Sequence, residues 1–448
     1  MPTALFDTPI LINGFRDPAF TKNRDLPLHR WVPWIAGFSA QFVDDCLVRY
    51  LAPNKTGATV LDPFAGVGTT LVEAFIHGHN VIGFEINPYA ALAARLKLDA
   101  VSIEPGAVRA QIAGFQRFMD IRCPDDRAPK GQPRSRPPIG FSGRTQLFSP
   151  PVERRILFAL DFINLIGKPK VRDLFRLALG SVMVSMSNYS YEPSLTRRSA
   201  VDKEDIPDAR VAHVLRSKLE LMRGDIEYLQ EQMRTIRRRP KVKVYSRSFF
   251  SSLKTLKCKA FVDLVVTSPP YLNNYHYPRN TRPQLHWLGM ASGPGYNGAR
   301  EEQSFGKFWQ TVRDQPPMRL SFSFPLLEET IEAIRGLNTH RGSYGGPGWA
   351  NYVTTYFNDA HEFCKILKEL LRPQAVAIIV LGNSVIQGVE VKTEEYFGRI
   401  AQESGLTFED CLLLRKKRTG TSIIRSSVRV DRPPVKTALY ESAIILRK

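Results

Sequence analysis

The sequence ATVLDPFAGVGTTLVEAFIHGHNVIGFE, residues 58–85, holds two short apolar segments separated by a glycine turn and a helical run. Residues 58–62 and 80–85 have the length and the apolar character of buried strands. A second helical run begins at Asn87 and Pro88. The order of strand, turn, helix, strand and helix predicts an α/β domain built on a parallel sheet.

Five further strand candidates complete this sheet, centred near residues 244, 264, 378, 411 and 444. The last two are close enough in sequence to pair as a hairpin, which predicts a seven-stranded, mostly parallel sheet with one antiparallel strand. The positions of these strands divide the chain into three segments. We predict a core formed by residues 1–100 and 241–448, loop-rich at 272–350, and a largely helical, basic insertion at 101–240.

The composition limits the class of protein. The chain has 448 residues, of which 43% are hydrophobic and 23% are charged, as expected for a folded protein with a sizeable core. No apolar run approaches the roughly 20 residues of a membrane helix, and the first residues do not resemble a secretory signal. The five cysteines form no C-x-x-C pair, so neither a disulfide framework nor a metal site is expected. We therefore expect a cytoplasmic protein with no membrane contact.

The charge of the chain points to a polyanionic partner. Lys and Arg number 62 against 43 Asp and Glu, which gives a formal net charge of +19. The electrostatic field of such a charge attracts nucleic acid first and an anionic membrane second. An enzyme that is merely basic would have the same net charge. Residues 127–138, 234–243 and 415–448 are the basic segments that we expect to contact phosphates.

The glycine turn has the features of a nucleoside-binding loop. Gly66 and Gly68 can adopt positive φ and let a ligand approach the backbone closely. The helix that follows offers free N–H groups to an anionic group such as a carboxylate. Glu85 ends the next strand, where an acidic side chain suits ribose hydroxyls. Because the chain lacks both G-x-G-x-x-G and the lysine of a phosphate-binding P-loop, dinucleotide and ATP sites are disfavoured.

A second motif, Val265-Val-Thr-Ser-Pro-Pro-Tyr271, follows a buried strand at the edge of the sheet where α/β proteins bind ligands. Pro269 and Pro270 stiffen the turn and remove two N–H donors. Hydrogen-bond acceptors remain, namely the Ser268 hydroxyl and the backbone carbonyls. Acceptors next to the aromatic ring of Tyr271 suit an amino group on a planar base.

Together the two motifs resemble those of the S-adenosylmethionine-dependent DNA amino-methyltransferases, which methylate N4 of cytosine or N6 of adenine. Residues 62–70 resemble the cofactor motif D-P-F-x-G-x-G-T-T, and residues 268–271 resemble the catalytic motif [SDN]-P-P-[YF]. The resemblance covers about 30–100 and 241–448 and implies a Rossmann-like methyltransferase fold. It implies S-adenosylmethionine as cofactor and no metal. The implied cofactor residues are Asp62, Pro63, Phe64, Ala65, Gly66, Gly68, Thr69, Thr70, Glu85, Ile86 and Asn87, and the implied catalytic residues are Ser268, Pro269, Pro270 and Tyr271.

The resemblance also implies a reaction and a partner. The amino nitrogen of a base flipped from double-stranded DNA attacks the sulfonium methyl group, while Ser268 and the Pro269 carbonyl accept its hydrogens and Tyr271 stacks on the base. In this family the serine form of the motif favours N4 of cytosine, with N6 of adenine as the alternative. An RNA amino-methyltransferase and a non-catalytic nucleic-acid-binding protein on the same scaffold remain alternatives. A cognate restriction endonuclease is an expected partner, and the oligomeric state stays open.

Two features depart from the family pattern. The family often has an acidic residue after its third strand, near the cofactor adenine, whereas this chain has Arg247 there, followed by Ser248. The cofactor motif also precedes the catalytic motif, the reverse of the order in many members with a serine motif, so the chain resembles a permuted member. The insertion at 101–240 separates the two motifs, and we expect it to hold the target-recognition region.

Overall fold

The computed structural model describes residues 13–34, 37–52, 56–126, 129–139, 146–192, 194–272, 277–291, 300, 302–416 and 439–448. Its strands are β1 (Thr59–Asp62), β2 (Asn80–Phe84), β3 (Tyr189–Tyr191), β4 (Leu195–Arg197), β5 (Val242–Tyr245), β6 (Val262–Thr267), β7 (Leu371–Gly382), β8 (Ser384–Ile386), β9 (Val389–Val391), β10 (Thr407–Lys416) and β11 (Tyr440–Arg447). Its helices are α1 (Ala40–Tyr50), α2 (Thr69–Ile76), α3 (Pro88–Asp99), α4 (Pro105–Arg122), α5 (Pro150–Leu165), α6 (Pro169–Val182), α7 (Val211–Gln232), α8 (Ser252–Leu256), α9 (Tyr277–Asn280), α10 (Arg282–Trp287), α11 (Trp309–Val312), α12 (Pro325–Arg335), α13 (Gly346–Leu370) and α14 (Thr393–Glu403).

The central sheet of the described chain has seven strands in the order β10-β11-β7-β6-β1-β2-β5. The pairs β6–β7, β1–β6, β1–β2 and β2–β5 are parallel, while β11 is antiparallel to both of its neighbours. The predicted seven-stranded, mostly parallel sheet with a closing hairpin is therefore confirmed. The carboxyl ends of β1, β2 and β6 meet at one edge of the sheet, which places the two motifs side by side.

Both faces of the sheet are buried, as the continuous apolar runs of the parallel strands require. On one face the strands pack with α1, α2, α3 and the insertion helices in a single apolar core. On the other face they pack with α12, α13 and α14 in a second apolar core. The sheet lies between two helical layers, the arrangement of a Rossmann-like methyltransferase fold.

The insertion is largely helical, as predicted, and its helices α4 to α7 continue the first core rather than form a separate one. Helix α7 is attached to the N-terminal segment through the buried carboxylate of Asp225. That carboxylate accepts hydrogen bonds from the main chain of Leu28, the indole of Trp31 and the guanidinium of Arg30, at 2.9, 3.0 and 2.6 Å. The short hairpin β3–β4 within the insertion was not predicted.

The segment after the catalytic motif contains more helix than the sequence predicted. Helix α12 lies within residues 272–350, and α13 begins at Gly346 rather than near Tyr352. The glycine-rich sequence 342–348 is therefore not a loop throughout. A Cβ at Gly346 would lie 2.1 Å from the carbonyl oxygen of Ile334, so close packing explains this glycine.

In the described part of the chain, no helix combines the length and the apolar character needed to cross a membrane.

Candidate active site

The glycine turn between β1 and α2 has the backbone geometry that its sequence predicts. Gly66 and Gly68 have φ values of +51° and +87°, in the left-handed region that favours glycine. A Cβ at Gly68 would lie 2.9 Å from Cα of Ala94 in α3, so this helix leaves no room for a side chain. A Cβ at Gly66 would lie 3.3 Å from Nε1 of Trp34. The turn is thus pressed between α3 and an indole ring.

Glu85, at the end of β2, is joined to this turn. Its two carboxylate oxygens accept hydrogen bonds from the main-chain N–H groups of Gly66 and Asn87, each at 2.7 Å. Desolvation raises the pKa of Glu85 to about 7, against the opposing effect of these two hydrogen bonds. Each oxygen keeps a further acceptor position, so the carboxylate can still receive hydroxyl donors.

Asp62 connects the cofactor motif with the catalytic motif. Its Oδ1 accepts a hydrogen bond from the hydroxyl of Thr267 at 2.6 Å and another from the main chain of Phe64 at 3.0 Å. Burial raises the pKa of Asp62 to about 6, although these hydrogen bonds act in the opposite direction. The hydroxyl of Thr70 also donates to the carbonyl of Val266 at 3.2 Å. The ends of β1 and β6 are therefore fixed to each other directly beside Ser268.

Lys97 holds the rear of the glycine turn. The side chain is fully buried on α3, one turn after Ala94, and its Nζ donates to the carbonyl of Val67 at 2.9 Å. Burial lowers its pKa to about 7; nearby Lys218 lowers it further, and Asp225 of α7 opposes this change. The Lys97 side chain therefore fixes the backbone of the glycine turn at Val67, and it lies close to Lys218 and Asp225 of the insertion.

The catalytic motif follows β6 without a break. Pro269 is buried, and Ser268 and Tyr271 are half-buried, so their polar atoms lie near the surface at the edge of the sheet. The hydroxyl groups of Ser268 and Tyr271 are 3.5 Å apart, and the Tyr271 hydroxyl lies 3.4 Å from Oε1 of Glu441 at the start of β11. The Tyr271 ring is also close to Gly382, where a Cβ would lie 3.4 Å from two ring carbons.

The remaining predicted cofactor residues have largely structural contacts. Pro63, Ala65, Thr69 and Thr70 are buried in the turn and the first turn of α2. The ring of Phe64 packs among Phe305, Phe363 and Phe249, with centroid distances of 5.4, 5.6 and 6.4 Å. These residues therefore support the conformation of the turn by packing in the protein interior.

Ile86 and Asn87 are contacted by the chain that follows the catalytic motif. Asn87 caps α3 with its Oδ1, and its Nδ2 donates to the hydroxyl of Thr281 at 2.6 Å. Arg300 donates to the carbonyl of Ile86 at 3.1 Å. Two residues that follow the catalytic motif are therefore hydrogen-bonded to the end of β2, next to Glu85.

The position after β5 lacks an acidic group, as the sequence indicated. Arg247 is exposed and lies 3.4 Å from the Thr255 hydroxyl. Ser248 caps the following short helix, and its hydroxyl donates to the carbonyl of Gln303 at 2.8 Å. Neither side chain replaces a carboxylate there.

The basic segments lie at different edges of the sheet. Arg415 and Lys416 end β10 on the side of the sheet where the parallel strands have their carboxyl ends, which is also the side of Ser268. The residues before β5 lie on the opposite side, at the amino ends of the parallel strands. There the main-chain N–H of Lys241 donates to Oδ1 of Asn80 at the start of β2. Residues 129–138 form an irregular segment joined to Asp161 of α5. Residues 127–128 and 417–438 lie outside the described residues.

Three residues at the site were not predicted from the sequence. Trp34, Lys97 and Glu441 come from a segment, a helix and a strand that only the folded chain brings together. No pattern in the linear sequence marks them. Thr267 belongs to the second motif, but its hydrogen bond to Asp62 was not predicted.

The chemistry of the turn suits a nucleoside ligand. Gly66 and Gly68 leave the backbone of the turn free of side chains at positive φ, and the Glu85 carboxylate beside it keeps acceptor positions for hydroxyl donors. Among the described residues, no group of three His, Cys, Asp or Glu could hold a metal ion.

Comparison with known proteins identifies relatives over most of the chain. A sequence-family model described as DNA methylase matches residues 36–95, which include the cofactor motif. The Type II methyltransferase M.AvaI of Nostoc sp. is 22% identical over 418 residues, covering 88% of this chain and 82% of that protein. M.BsoBI of Geobacillus stearothermophilus is 24% identical over 296 residues, covering 61% and 55%.

A further relative matches only locally. The Type II methyltransferase M.MjaII of Methanocaldococcus jannaschii is 36% identical over 83 residues, which is 18% of this chain and 15% of that protein. Among solved structures, the rRNA methyltransferase aviRa from Streptomyces viridochromogenes aligns with a TM-score of 0.30 at 12% identity, covering 94% of this chain and 93% of that one. The family match and the long alignments confirm the resemblance that the two motifs indicated, namely a similarity to the amino-methyltransferases.

Proposed function

We propose that this methyltransferase transfers a methyl group from S-adenosylmethionine to the exocyclic amino group of a flipped base in double-stranded DNA, with N4 of cytosine as the target atom. The observation that supports this most strongly is the 2.6 Å hydrogen bond between Thr267 and Asp62. It joins the cofactor motif to the residue before Ser268. A donor held at one motif would therefore lie next to a base held at the other.

The residues of the cofactor side have separate roles in this proposal. S-adenosylmethionine would supply a methyl group activated by its sulfonium centre. Gly66 and Gly68 would admit its methionine part to the backbone, and Glu85 would accept hydrogen bonds from the ribose hydroxyls. Ile86 and Asn87 would flank the adenine, with Asn87 contributing its backbone because its side chain caps α3.

The residues of the catalytic side would act on the base. Tyr271 would stack on the flipped ring, with its hydroxyl directed at Glu441. The Ser268 hydroxyl and the Pro269 carbonyl would accept hydrogen bonds from the amino group, which favours a pyramidal nitrogen with an available lone pair. The nitrogen would bond to the methyl group as the methyl–sulfur bond breaks, and it would then lose one proton to solvent. Most of the rate would come from this positioning. Pro269 and Pro270 would keep the acceptors rigid.

The choice of cytosine N4 rests on Ser268. The serine form of the motif is more usual for cytosine in this family, and N6 of adenine is the second candidate because both amino groups have similar chemistry. The alternative of RNA as substrate is less well supported, because the matching family is described as DNA methylase and the relatives are named Type II methyltransferases. The net charge of +19 suits either polyanion.

The relatives also suggest a biological setting. Type II methyltransferases act in restriction-modification, so we infer a cognate endonuclease as partner and the cytoplasm as the place of action. The insertion at 101–240 would carry the target-recognition region, because it reaches the edge of the sheet beside the catalytic motif through the hairpin β3–β4.

Transfer of a labelled methyl group tests this function. The wild-type protein, Ser268→Ala and Tyr271→Ala are each incubated with tritium-labelled S-adenosylmethionine and, in separate reactions, with mixed-sequence duplex DNA or with total RNA. Cofactor affinity is measured in parallel. We expect label in DNA with the wild-type protein and a loss of about 100-fold or more in each variant, because base positioning is removed. Cofactor affinity should stay near the wild-type value.

Other outcomes would exclude the proposal in part or completely. Normal transfer by Tyr271→Ala would remove the catalytic assignment. Label found only in RNA would move the protein to the RNA alternative. Cofactor binding without transfer to any nucleic acid would favour a non-catalytic role.

A further inference from the structure

The hairpin β3–β4 of the insertion is joined to the chain that follows the catalytic motif. The main-chain N–H of Leu195 donates to Oδ1 of Asn280 at 2.8 Å, and the hydroxyl of Tyr191 donates to the Asn280 carbonyl at 2.9 Å. Gln284 adds a hydrogen bond to the same tyrosine hydroxyl at 3.3 Å. Asn280 and Gln284 are buried, so these contacts form an ordered joint between the two segments.

This joint lies at the edge of the sheet that carries the site. Thr281, next to Asn280, accepts the 2.6 Å hydrogen bond from Asn87 just beyond the end of β2. Helix α10 also packs on α3. The joint therefore connects the hairpin with the same edge at which Ser268 is placed.

Two exposed arginines flank the joint. Arg197 ends β4, two residues or about 7 Å along the strand from Leu195, and Arg279 immediately precedes Asn280. Within the described parts of the chain, neither guanidinium has an ion pair or a hydrogen bond. By contrast, Lys203 beside the hairpin pairs with Glu192. No described residue occupies the guanidinium donors of Arg197 or Arg279, and such a planar set of N–H groups suits an anion.

We propose that Arg197 and Arg279 contact phosphates of the DNA duplex, so that the hairpin joint is the part of the insertion that meets the substrate backbone. The inference rests on the proposed function and narrows it to one surface. Such contacts orient the duplex over the catalytic motif without carrying sequence information themselves. The sequence had indicated residues 127–138, 234–243 and 415–448 for such contacts, and of these, residues 234–243 lie at the opposite edge of the sheet.

That opposite edge provides a matched control. Arg237 and Arg238 precede β5, are exposed, and have no ion pair or hydrogen bond within the described residues. Ile236 beside them packs at Gly78, in the turn that enters β2. The double variant Arg237→Gln and Arg238→Gln therefore removes the same charge as Arg197→Gln and Arg279→Gln, but at the edge away from the site.

The test measures the affinity of each full-length double variant for a duplex DNA over a range of salt concentrations, with S-adenosylmethionine affinity as the check of the fold. The Arg197/Arg279 pair should bind duplex about tenfold or more weakly at low salt. The slope of log affinity against log salt should become shallower by about 2, because each phosphate that is no longer neutralised reduces it by about 1. The control pair should retain the wild-type slope, and cofactor affinity should be unchanged in both.

Equal losses of affinity in the two pairs would overturn the proposal, because they would indicate a diffuse effect of net charge. A larger loss in the control pair would assign the phosphate contacts to the other edge. If the wild-type protein itself neither binds nor methylates duplex DNA, both the proposed function and this inference are wrong. If the wild-type protein methylates DNA but the Arg197/Arg279 variant has an unchanged salt slope, the phosphate contacts at the hairpin joint are excluded and the proposed function stands.

Discussion

The raised pKa of Glu85 predicts that cofactor affinity depends on pH. Its carboxyl has a pKa of about 7, above the ordinary value, because it is desolvated beside Gly66 and Asn87. In the proposed function, protonation of Glu85 removes an acceptor for the ribose hydroxyls of the cofactor. The dissociation constant of S-adenosylmethionine should therefore fall by up to about tenfold between about pH 6 and 8.

Calorimetric titration at several pH values measures this effect, with Glu85→Gln as the matched variant. The amide cannot ionise, so the variant should bind more weakly at high pH and show a nearly flat profile. A wild-type pH profile retained in Glu85→Gln would assign the dependence to another group.

Lys97 predicts a pH dependence of stability. Its pKa is about 7 in the folded protein against an ordinary value of 10.5, mainly because it is buried. Between these two values the unfolded chain binds more protons than the folded one, so stability rises with pH. From pH 7 to about 9 this contributes about 2 kcal/mol to the free energy of unfolding.

Urea unfolding at both pH values checks the prediction. Lys97→Met keeps the length of the side chain but removes the charge and the hydrogen bond to Val67. The difference between the wild-type protein and the variant isolates Lys97 from other titrating groups. If the free energy of unfolding of Lys97→Met rises with pH as much as that of the wild-type protein, Lys97 is not the group that causes the rise.

At the scale of elements, the packing of α3 against the glycine turn is what Gly68 makes possible. A substitution to alanine there meets two costs, namely the positive φ of +87° and the approach of 2.9 Å to Cα of Ala94. Gly57 has a similar φ of +79° but open space around it, so Gly57→Ala carries only the first cost.

The two alanine variants separate these costs. Gly57→Ala should lower the free energy of unfolding by about 1–2 kcal/mol and leave cofactor affinity unchanged. Gly68→Ala should destabilise more and weaken S-adenosylmethionine binding by about tenfold or more, because the turn must move away from α3. Denaturant unfolding and calorimetry measure both quantities. Equal effects of the two variants would show that α3 does not constrain the turn.

The elements differ in how well the sequence predicts them. The seven strands of the sheet could be predicted because buried parallel strands are short, continuous apolar runs next to motifs. Helix α12 has apolar residues at helical spacing, Leu327, Ile331 and Ile334, and was overlooked inside a segment assigned as loop-rich. The first turn of α13 was missed because it lies among glycines and a proline, which usually mark loops. At Gly346 the glycine is instead required by the carbonyl oxygen of Ile334, 2.1 Å from where a Cβ would be. Such packing is tertiary and leaves no local pattern.

At the scale of the whole molecule, the same distinction applies to the site. The motif residues were predictable because they are contiguous at the ends of two strands. Trp34, Lys97 and Glu441 were not, because they approach the site only after the N-terminal segment, α3 and β11 have folded around it. The net charge of +19 was also visible in the sequence, but not its division between the two edges of the sheet.

The identity of the methylated nucleoside tests the central claim most directly. Duplex DNA is incubated with the wild-type protein and S-adenosylmethionine, digested to nucleosides and analysed by mass spectrometry against standards, with Ser268→Ala as the control. The serine form of the catalytic motif predicts N4-methyldeoxycytidine, absent from the control. N6-methyldeoxyadenosine would contradict the assignment of cytosine, and no methylated nucleoside in DNA would contradict the proposed function.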